Sequence, residues 1–546
     1  MCGIFALLNN RDNYSSETVT NAFETGSKRG PDKSMITSSE NIILGFHRLA
    51  INGLDAKSNQ PFDMDDCMLI CNGEIYNYKQ LYKTFDITPT TNSDCEIIIH
   101  LYKKFGILET IQMLDGVFAF CLYDKKNNTI VVARDPFGVR PLYKGTNTKN
   151  ETIAFSSTLR SITDIEINNW DISQFKPGTY EVYKISQNNW EFAYSSQYYN
   201  VNTNNSTDMI SLHQAIYMIN ISLHQAVKKR VFTCDRDIAC LLSGGLDSSL
   251  ITSLVNKYYK EKTGKKLKTF SIGMNGSEDL RYAKMVADFL ETDHTEICLT
   301  EQDFLDALDT VIMNVETYDT TTIRASVGNY LVSKYISEHC DGKVIFNGDG
   351  SDEVTGGYLY FHCAPNHIEF DLECKRLLNN IHFFDVLRSD RTISSNGLEA
   401  RTPFLDKHFV NTYLSISSEL RYKTNKRAEK YLLRKAFDND STLPKEVLWR
   451  TKEAFSDGVS KQTKSWFEII QEHIDPIIGD IDMNTIDNCH NKPTTKEQLY
   501  YRNVFTKHYG DNYQLIPYFW MPKFVDATDA SARTLNIYKT KMNIEN

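Results

Sequence analysis

The sequence predicts two folded units in series. The first is an α+β unit of layered sheets with helices outside. The second is an α/β unit built on a mostly parallel sheet, finished by a helical C-terminal part. Three observations predict this order. Short strand-like runs crowd the beginning of the chain. A polar stretch, NVNTNNSTD at 200–208, interrupts them and reads as a linker. Beyond it, strand and helix patterns alternate, which is the signature of βαβ units. The length, 546 residues, agrees with a soft prior of about two to four domains at roughly 150 residues each.

In the first unit, IILGFHRLAI (42–51), CMLICNGEIYNY (67–78), VFAFCLYD (117–124), TIVVARD (129–135) and TIAFSS (152–157) are rich in branched and aromatic residues, with turn residues between them. Helices are expected around 17–27 and over 95–106. After the linker a long helix is expected over 209–230. It carries a small duplication, ISLHQA at 210–215 and again at 221–226. An offset of eleven residues is about three helical turns, so both copies should lie on one face. Then come a strand at 237–242, a helix at 248–260, a strand at 267–274, a helix at 280–290, and strands at 294–299 and 343–347. The predicted boundaries are 2–190 for the first unit, 200–208 for the linker and 209–535 for the second.

Hydrophobic residues make up 41% and charged residues 24%, an ordinary globular composition. Acidic residues number 70 and basic residues 60, for a net charge of −10, which argues against a nucleic-acid binder. There is no run long enough to span a membrane. The start, MCGIFALLNNRD, lacks the basic and long apolar regions of a signal peptide. KTKMNIEN at the end matches neither a prenylation nor an ER-retention signal. The twelve cysteines are dispersed and form no CxxC pair, so reduced thiols in a cytoplasmic protein are expected, not a zinc site.

Three motifs carry chemistry. Ser243-Gly244-Gly245-Leu246-Asp247-Ser248-Ser249 lies between a strand and a helix. Its glycines permit close backbone approach, and the helix N-terminus with its hydroxyls offers donors to phosphate. Such a turn is often only a turn, and GK[ST] of a Walker loop is absent. The coincidence of strand, helix, paired glycines and Asp247 nevertheless favours phosphate, with Asp247 placed to hold magnesium. A second loop, Asn347-Gly348-Asp349-Gly350-Ser351-Asp352-Glu353, sets three carboxylates within five residues. Solvated acidic turns are common, but such crowding calls for a cation or a positive partner. Third, Cys2 follows the initiator Met. Removal of Met1 would give the cysteine a free α-amine as base for its own thiol. An inert thiol is the bland alternative. Nearby candidates change the weighing: Arg48 for a carboxylate, Asn72-Gly73-Glu74 at a strand end, and Asp94 for an ammonium.

The chain resembles the glutamine-hydrolysing asparagine synthetases, and the eukaryotic type in WMPKFVDATDASART (520–534). The resemblance runs through MCGIF (1–5), RGPD (29–32), FHRLA (46–50), NGEIYN (72–77), SD (93–94), RDPFGVRPLY (134–143), LLSGGLDSS (241–249), TYDTTTIRAS (317–326), EARTPFLD (399–406) and RTKEAFSDG (450–458). It implies an N-terminal-nucleophile glutaminase domain of layered sheets, then an ATP-pyrophosphatase domain. Cys2 is then the nucleophile, with Asn72 and Gly73 as oxyanion hole. Arg48, Leu49, Ala50, Ile51, Asn52, Glu74 and Asp94 complete the glutamine contacts. ATP is met by Leu241, Ser243, Gly244, Gly245, Asp247, Ser248, Ile272, Asn347 and Gly348, and Mg2+ by Asp247 and Asp352. Arg324 and Lys452 are the expected cations for phosphate or transition-state charge. The substrates implied are L-aspartate, L-glutamine and ATP, and the resemblance allows a homodimer.

Two loops depart from the family. Lys28 precedes RGPD where a histidine is common. The acidic loop reads NGDGSDE where the family reads SGEGSDE. Asp349 thus withdraws by one methylene, roughly 1.5 Å, a carboxylate that the family uses in forming the aspartyl-adenylate, and Asn347 replaces a serine. The two changes suggest a repacked pocket. Two alternatives follow: a related adenylating amidotransferase with another carboxylate acceptor, or a synthetase-derived binding protein whose catalysis is impaired at Asp349.

Overall fold

The first strand, GIFALL, is an unbroken apolar run and all six of its residues are buried, so both faces of its sheet are covered. The computed structural model describes residues 1–39, 41–203, 209–422, 427–439, 441–461, 463–486, 489–536 and 538. Among these, the first unit contains β1 (Gly3–Leu8), β2 (Lys33–Ser39), β3 (Ile42–Arg48), β4 (Phe62–Met64), β5 (Cys67–Ile75), β6 (Gly116–Asp124), β7 (Thr129–Arg134), β8 (Tyr143–Asn147), β9 (Ile153–Ser156), β10 (Trp170–Gln174), β11 (Thr179–Ser186) and β12 (Asn189–Gln197). They form two antiparallel sheets, ordered β10-β8-β9-β1-β3-β2 and β12-β11-β7-β6-β5-β4. Between the sheets, Ile4, Ala6, Leu8, Leu44 and Phe46 meet Met68, Ile70, Ala119, Cys121 and Val132. On the outer faces, Phe5 and Leu7 pack with Phe23 of the helix Ser16–Glu24. Leu69, Phe118 and Phe120 pack with the helix Ile97–Phe105. This is the expected layered unit.

More strands are present than the five that the sequence showed. β2, KSMITSS, is largely exposed, and β10 and β12 carry polar residues on their open faces. Their residues are not the apolar runs that mark strands. Sheet pairing, not local propensity, makes them extended. β12 also continues to Gln197, past the expected boundary at 190, because it pairs with β11 along its length. Val201–Thr203 form a 3-10 turn. The remainder of the expected linker, 204–208, lies outside the described residues.

The second unit holds β13 (Ile238–Leu241), β14 (Lys268–Met274), β15 (Asp293–Leu299), β16 (Val344–Phe346) and β17 (Glu399–Arg401), all parallel and ordered β15-β14-β13-β16-β17. The order reverses between β13 and β16, which opens a crevice at the strands' carboxyl ends. The phosphate loop follows β13 and the acidic loop follows β16. The long helix runs from Leu212 to Phe232 behind a Ser211–Gln214 capping box. Ala215 and Ala226, equivalent in the two ISLHQA copies, are both buried, so the copies share a face. One apolar cluster joins the two units, with Leu49, Ile51, Tyr76, Phe137 and Val139 beside Leu223, Val227, Cys240 and Phe404. No described helix is long and apolar enough to cross a membrane.

Candidate active sites

Cys2, the nucleophile expected from the sequence, sits immediately before β1. Cys2 Sγ lies 3.4 Å from the backbone N of Leu49 and 3.5 Å from its carbonyl oxygen. Burial pushes its thiol up to about 11, so the resting group is a thiol that needs a base. Met1 is fully buried, and its amine donates to Leu398 O at 2.7 Å. Burial lowers that amine to about 5 and leaves it uncharged at neutral pH.

The turn after β3 is fixed from several sides. Ala50 N donates to Asp32 at 2.8 Å, and Ala50 O accepts from Arg236 at 2.8 Å. Ile51 O accepts from Asp235 N at 3.0 Å. Arg48 donates to Asp55 O at 2.9 Å, to Asn59 at 2.6 Å and to Gly53 O. In this structure Arg48 therefore braces the turn 53–59. Asn72 and Gly73 lie at the end of β5, opposite Ala119 and Phe118 of β6. A Cβ on Gly73 would come within 2.7 Å of Val117 O, so only glycine fits there. Asn52 donates to Glu74 at 2.6 Å, and Asp94 accepts from Ile75 N at 2.6 Å. Burial raises the Asp94 carboxyl to about 6. Arg401, on β17 of the second unit, reaches Glu74 at 2.8 Å.

The second site is one cleft lined by Leu241, Ser243, Gly245, Asp247, Ser248, Ile272, Asn347, Gly348, Asp349, Asp352 and Lys452. Gly244 lies behind it with φ 75°, where a Cβ would strike Ala283 N at 2.5 Å. The two loops touch at Gly348, whose added Cβ would lie 2.7 Å from Ser248 N. That close approach brings the carboxylates together. Lys430 Nζ stands between them, 2.6 Å from Asp247 and 2.7 Å from Asp352. Lys452 is 2.8 Å from Asp352 and 3.5 Å from Asp247. Burial alone would raise the Asp352 carboxyl, but the two ammonium groups override it and hold it well below the usual carboxylate range. Asp349 is held by Asn347 Nδ2 at 2.6 Å and by Arg388 at 2.8 Å.

Arg324 is not part of this cleft. Its guanidinium makes four bonds, two to Glu497 and two to Asp529, at 2.6–2.9 Å. Four of its five donors tie Glu497 and Asp529 to the helix Thr320–His339. Among the described residues, cations in or beside the cleft are Lys452, Arg450, which donates to Gly244 O at 3.1 Å and to Asp279 at 3.0 Å, and then Lys430 and Arg388. Sequence reasoning missed the last two. Lys430 is in no motif, and the only hint of it was that crowded carboxylates demand a counter-charge.

Asp247 and Asp352 suit magnesium in donor type: hard oxygens already gathered around a positive charge. Among the described residues no group of three or more candidate ligands occurs. Two carboxylates with phosphate and water oxygens as the remaining ligands is the usual magnesium arrangement at a nucleotide.

Comparison with known proteins agrees with both halves. Residues 1–209 match the family described as glutamine amidotransferase domain, and residues 218–373 and 364–525 match the one described as asparagine synthase. "Asparagine synthetase [glutamine-hydrolyzing]" of Cricetulus griseus is 42% identical over 99% of both chains. The proteins of that name from Gallus gallus and Homo sapiens are equally similar, each 42% identical over 99% of both chains. A thiol at Cys2 against the turn at Leu49, and a cleft where the loops after β13 and β16 meet, thus occur in a chain that belongs to the glutamine-hydrolysing asparagine synthetase family.

Proposed function

We propose that this protein makes L-asparagine from L-aspartate, using ATP and ammonia taken from L-glutamine. The observation that carries the reading is the cleft in which phosphate-loop and acidic-loop residues meet. With Met1 removed, the α-amine of Cys2 takes the thiol proton and the sulfur attacks the glutamine amide carbon. Asn72 Nδ2 and Gly73 N stabilise the oxyanion. Glu74, Asp94 and Arg48 hold the two charged ends of glutamine, which requires Arg48 to exchange a turn contact for substrate. Ammonia leaves, and water releases glutamate from the sulfur.

In the cleft, the aspartate side-chain carboxylate attacks the α-phosphorus of ATP and pyrophosphate departs. This step makes a leaving group, because a bare carboxylate has none. Ser243, Gly244, Gly245 and Ser248 supply donors to the departing phosphates, and Leu241, Ile272, Asn347 and Gly348 seat the nucleotide. Magnesium held by Asp247 and Asp352 would neutralise charge on the phosphates when bound. Lys452 steadies the same charge from the other side. Ammonia then displaces AMP. Arg401 bonds both centres, Glu74 through its side chain at 2.8 Å and Asn347 N through its carbonyl oxygen at 3.2 Å, and the ammonia would pass through the interior between them. A cytosolic location suits this use of ATP.

Purified protein given aspartate, magnesium, ATP and glutamine labelled with nitrogen-15 at the amide tests the reading. Labelled asparagine and AMP should form in equal amounts, read by mass spectrometry. Glutamate without either product would overturn the synthetase half. AMP with an acid other than aspartate would overturn the substrate.

A further inference from the structure

One buried helix, Asp385–Ser394, bonds the acidic loop directly and reaches the backbone of Cys2 through Arg29. On one side Arg388 donates to Asp349 at 2.8 Å, and the Ser389 hydroxyl accepts from Asn347 Nδ2 at 2.8 Å. Asp385, at its start, accepts from Gly350 N at 3.0 Å. These bonds set the acidic loop. On the other side Asp390 takes Arg29 bidentately at 2.8 and 3.1 Å, and Ser394 accepts from Arg29 at 2.9 Å. Arg29 Nε in turn donates to the carbonyl oxygen of Cys2 at 3.0 Å. Arg29 and Asp390 are each 3% exposed, so this contact is not diluted by solvent. Arg391, the next residue, bonds Asp390 at 2.9 Å and Glu316 at 2.9 Å, and Glu316 accepts from Leu159 N at 2.8 Å. Four consecutive residues therefore fasten the cleft loop and the nucleophile's backbone to one rigid turn.

We propose that Asp390 is a positioning residue for the glutaminase nucleophile, acting through Arg29, and that the turn Arg388–Arg391 carries the state of the synthetase cleft to Cys2. The proposal rests on the reading of the two centres given above. Substrate in the cleft meets Asp349 and Arg388, and any shift of that pair moves Asp390 on the same turn. Arg29 then moves the Cys2 carbonyl, and with it the thiol relative to the donors of β5. A displacement of about 1 Å at a nucleophile costs around a hundredfold in rate, so a small shift suffices. Arg29 touches the nucleophile's backbone and no glutamine contact, so its effect belongs in kcat, not KM.

The test compares wild type with Asp390→Asn by steady-state kinetics and by iodoacetamide alkylation of Cys2, read by mass spectrometry of the N-terminal peptide. Alkylation is measured with and without aspartate, magnesium and a non-hydrolysable ATP analogue. In wild type, filling the cleft should change the alkylation rate by about threefold or more. In Asp390→Asn that dependence should vanish. Glutamine-dependent kcat should fall roughly tenfold, with ammonia-dependent synthesis within about twofold of wild type. Ser394→Ala removes one of the Arg29 bonds and keeps the charge, so it decides the matter if the first variant does not fold. It should lower glutamine-dependent kcat by about two- to threefold. A wild type whose Cys2 ignores the cleft would overturn the proposal, as would an Asp390→Asn protein with unchanged glutamine kinetics. Equal loss of glutamine- and ammonia-dependent synthesis would also overturn it. If wild type makes no asparagine from ammonia, the functional reading fails by itself, while the alkylation arm still reports the coupling.

Discussion

Asn347 and Asp349 stand two positions apart and answer one another. The Asn347 amide donates to Asp349 at 2.6 Å, and Arg388 reaches the other carboxylate oxygen at 2.8 Å. The shorter acid is thus matched by an amide that closes the gap behind it. Lengthening Asp349 alone moves its carboxylate by about 1.5 Å from the Asn347 and Arg388 donors, and losing such charged hydrogen bonds costs about 1.5–3 kcal/mol. Asp349→Glu should therefore lower ammonia-dependent kcat about tenfold, and adding Asn347→Ser should recover most of it. The cycle should show a coupling of about 1 kcal/mol or more, whereas additive effects would mean that the two positions act separately. A second expectation concerns Asp94. Its carboxyl, raised to about 6 by burial, is ionised above that pH and neutral below it. As pH falls through about 6, the attraction for the glutamine ammonium is lost, and glutamine KM should rise. Asp94→Asn should have a high KM without that pH dependence, with ammonia-dependent synthesis unaffected. At this scale the sequence was legible where chemistry is local. The residues of both loops are contiguous, and most of them line one cleft. Lys430 and Arg388 were not legible, because their partners are long-range neighbours that only folding supplies.

The elements show the same division. β13, β14 and β16 are largely buried and read as apolar runs, so they were found near their observed limits, and the edge strand β15, in which only Ile297 is buried, was found from its alternation with helices. β17, EAR, could not be found. Its three residues are buried, but two are charged and are tolerated inside only because Arg401 meets Glu74 and Glu399. The same holds for β2 and β12, whose open faces are polar. What the strand ends do is set by backbone contact between loops. The turn after β16 approaches the phosphate loop so closely that a Cβ on Gly348 would lie 2.8 Å from the Asp247 Cβ and 2.7 Å from Ser248 N. Both are well inside van der Waals contact, and neither is a flexible side-chain end. Gly348→Ala must push the loops apart and separate Asp247 from Asp352. Synthesis from ammonia should fall by about a hundredfold, with ATP affinity weakened. Glutamine hydrolysis at the other end of the chain should persist. Wild-type synthesis in this variant would show that the two loops need not touch.

At the scale of the whole molecule, the two units meet through buried charges as well as apolar surface. Arg401 pairs with Glu74 at 2.8 Å and with Glu399 at 2.9 Å, and Arg140 lies 3.3 Å from Glu399. Arg230 and Lys229 both hold Asp406, and Lys229 also holds Asp115 at 2.6 Å. Such pairs add little net stability over apolar packing, but removing one member leaves the other buried and unpaired, at a cost of about 3–5 kcal/mol. Arg401→Met keeps the bulk and deletes the charge. It should lower the melting temperature and weaken glutamine-dependent synthesis more than ammonia-dependent synthesis, because the orphaned carboxylate is also one of the proposed glutamine contacts. Glu74→Gln in the same chain removes the orphaned charge, so the double variant should recover part of the melting temperature without recovering glutamine use. That separation of stability from activity is the deciding measurement. If glutamine use returned together with stability, the Arg401–Glu74 pair would be a fastening between units and Glu74 would have no part in holding the substrate.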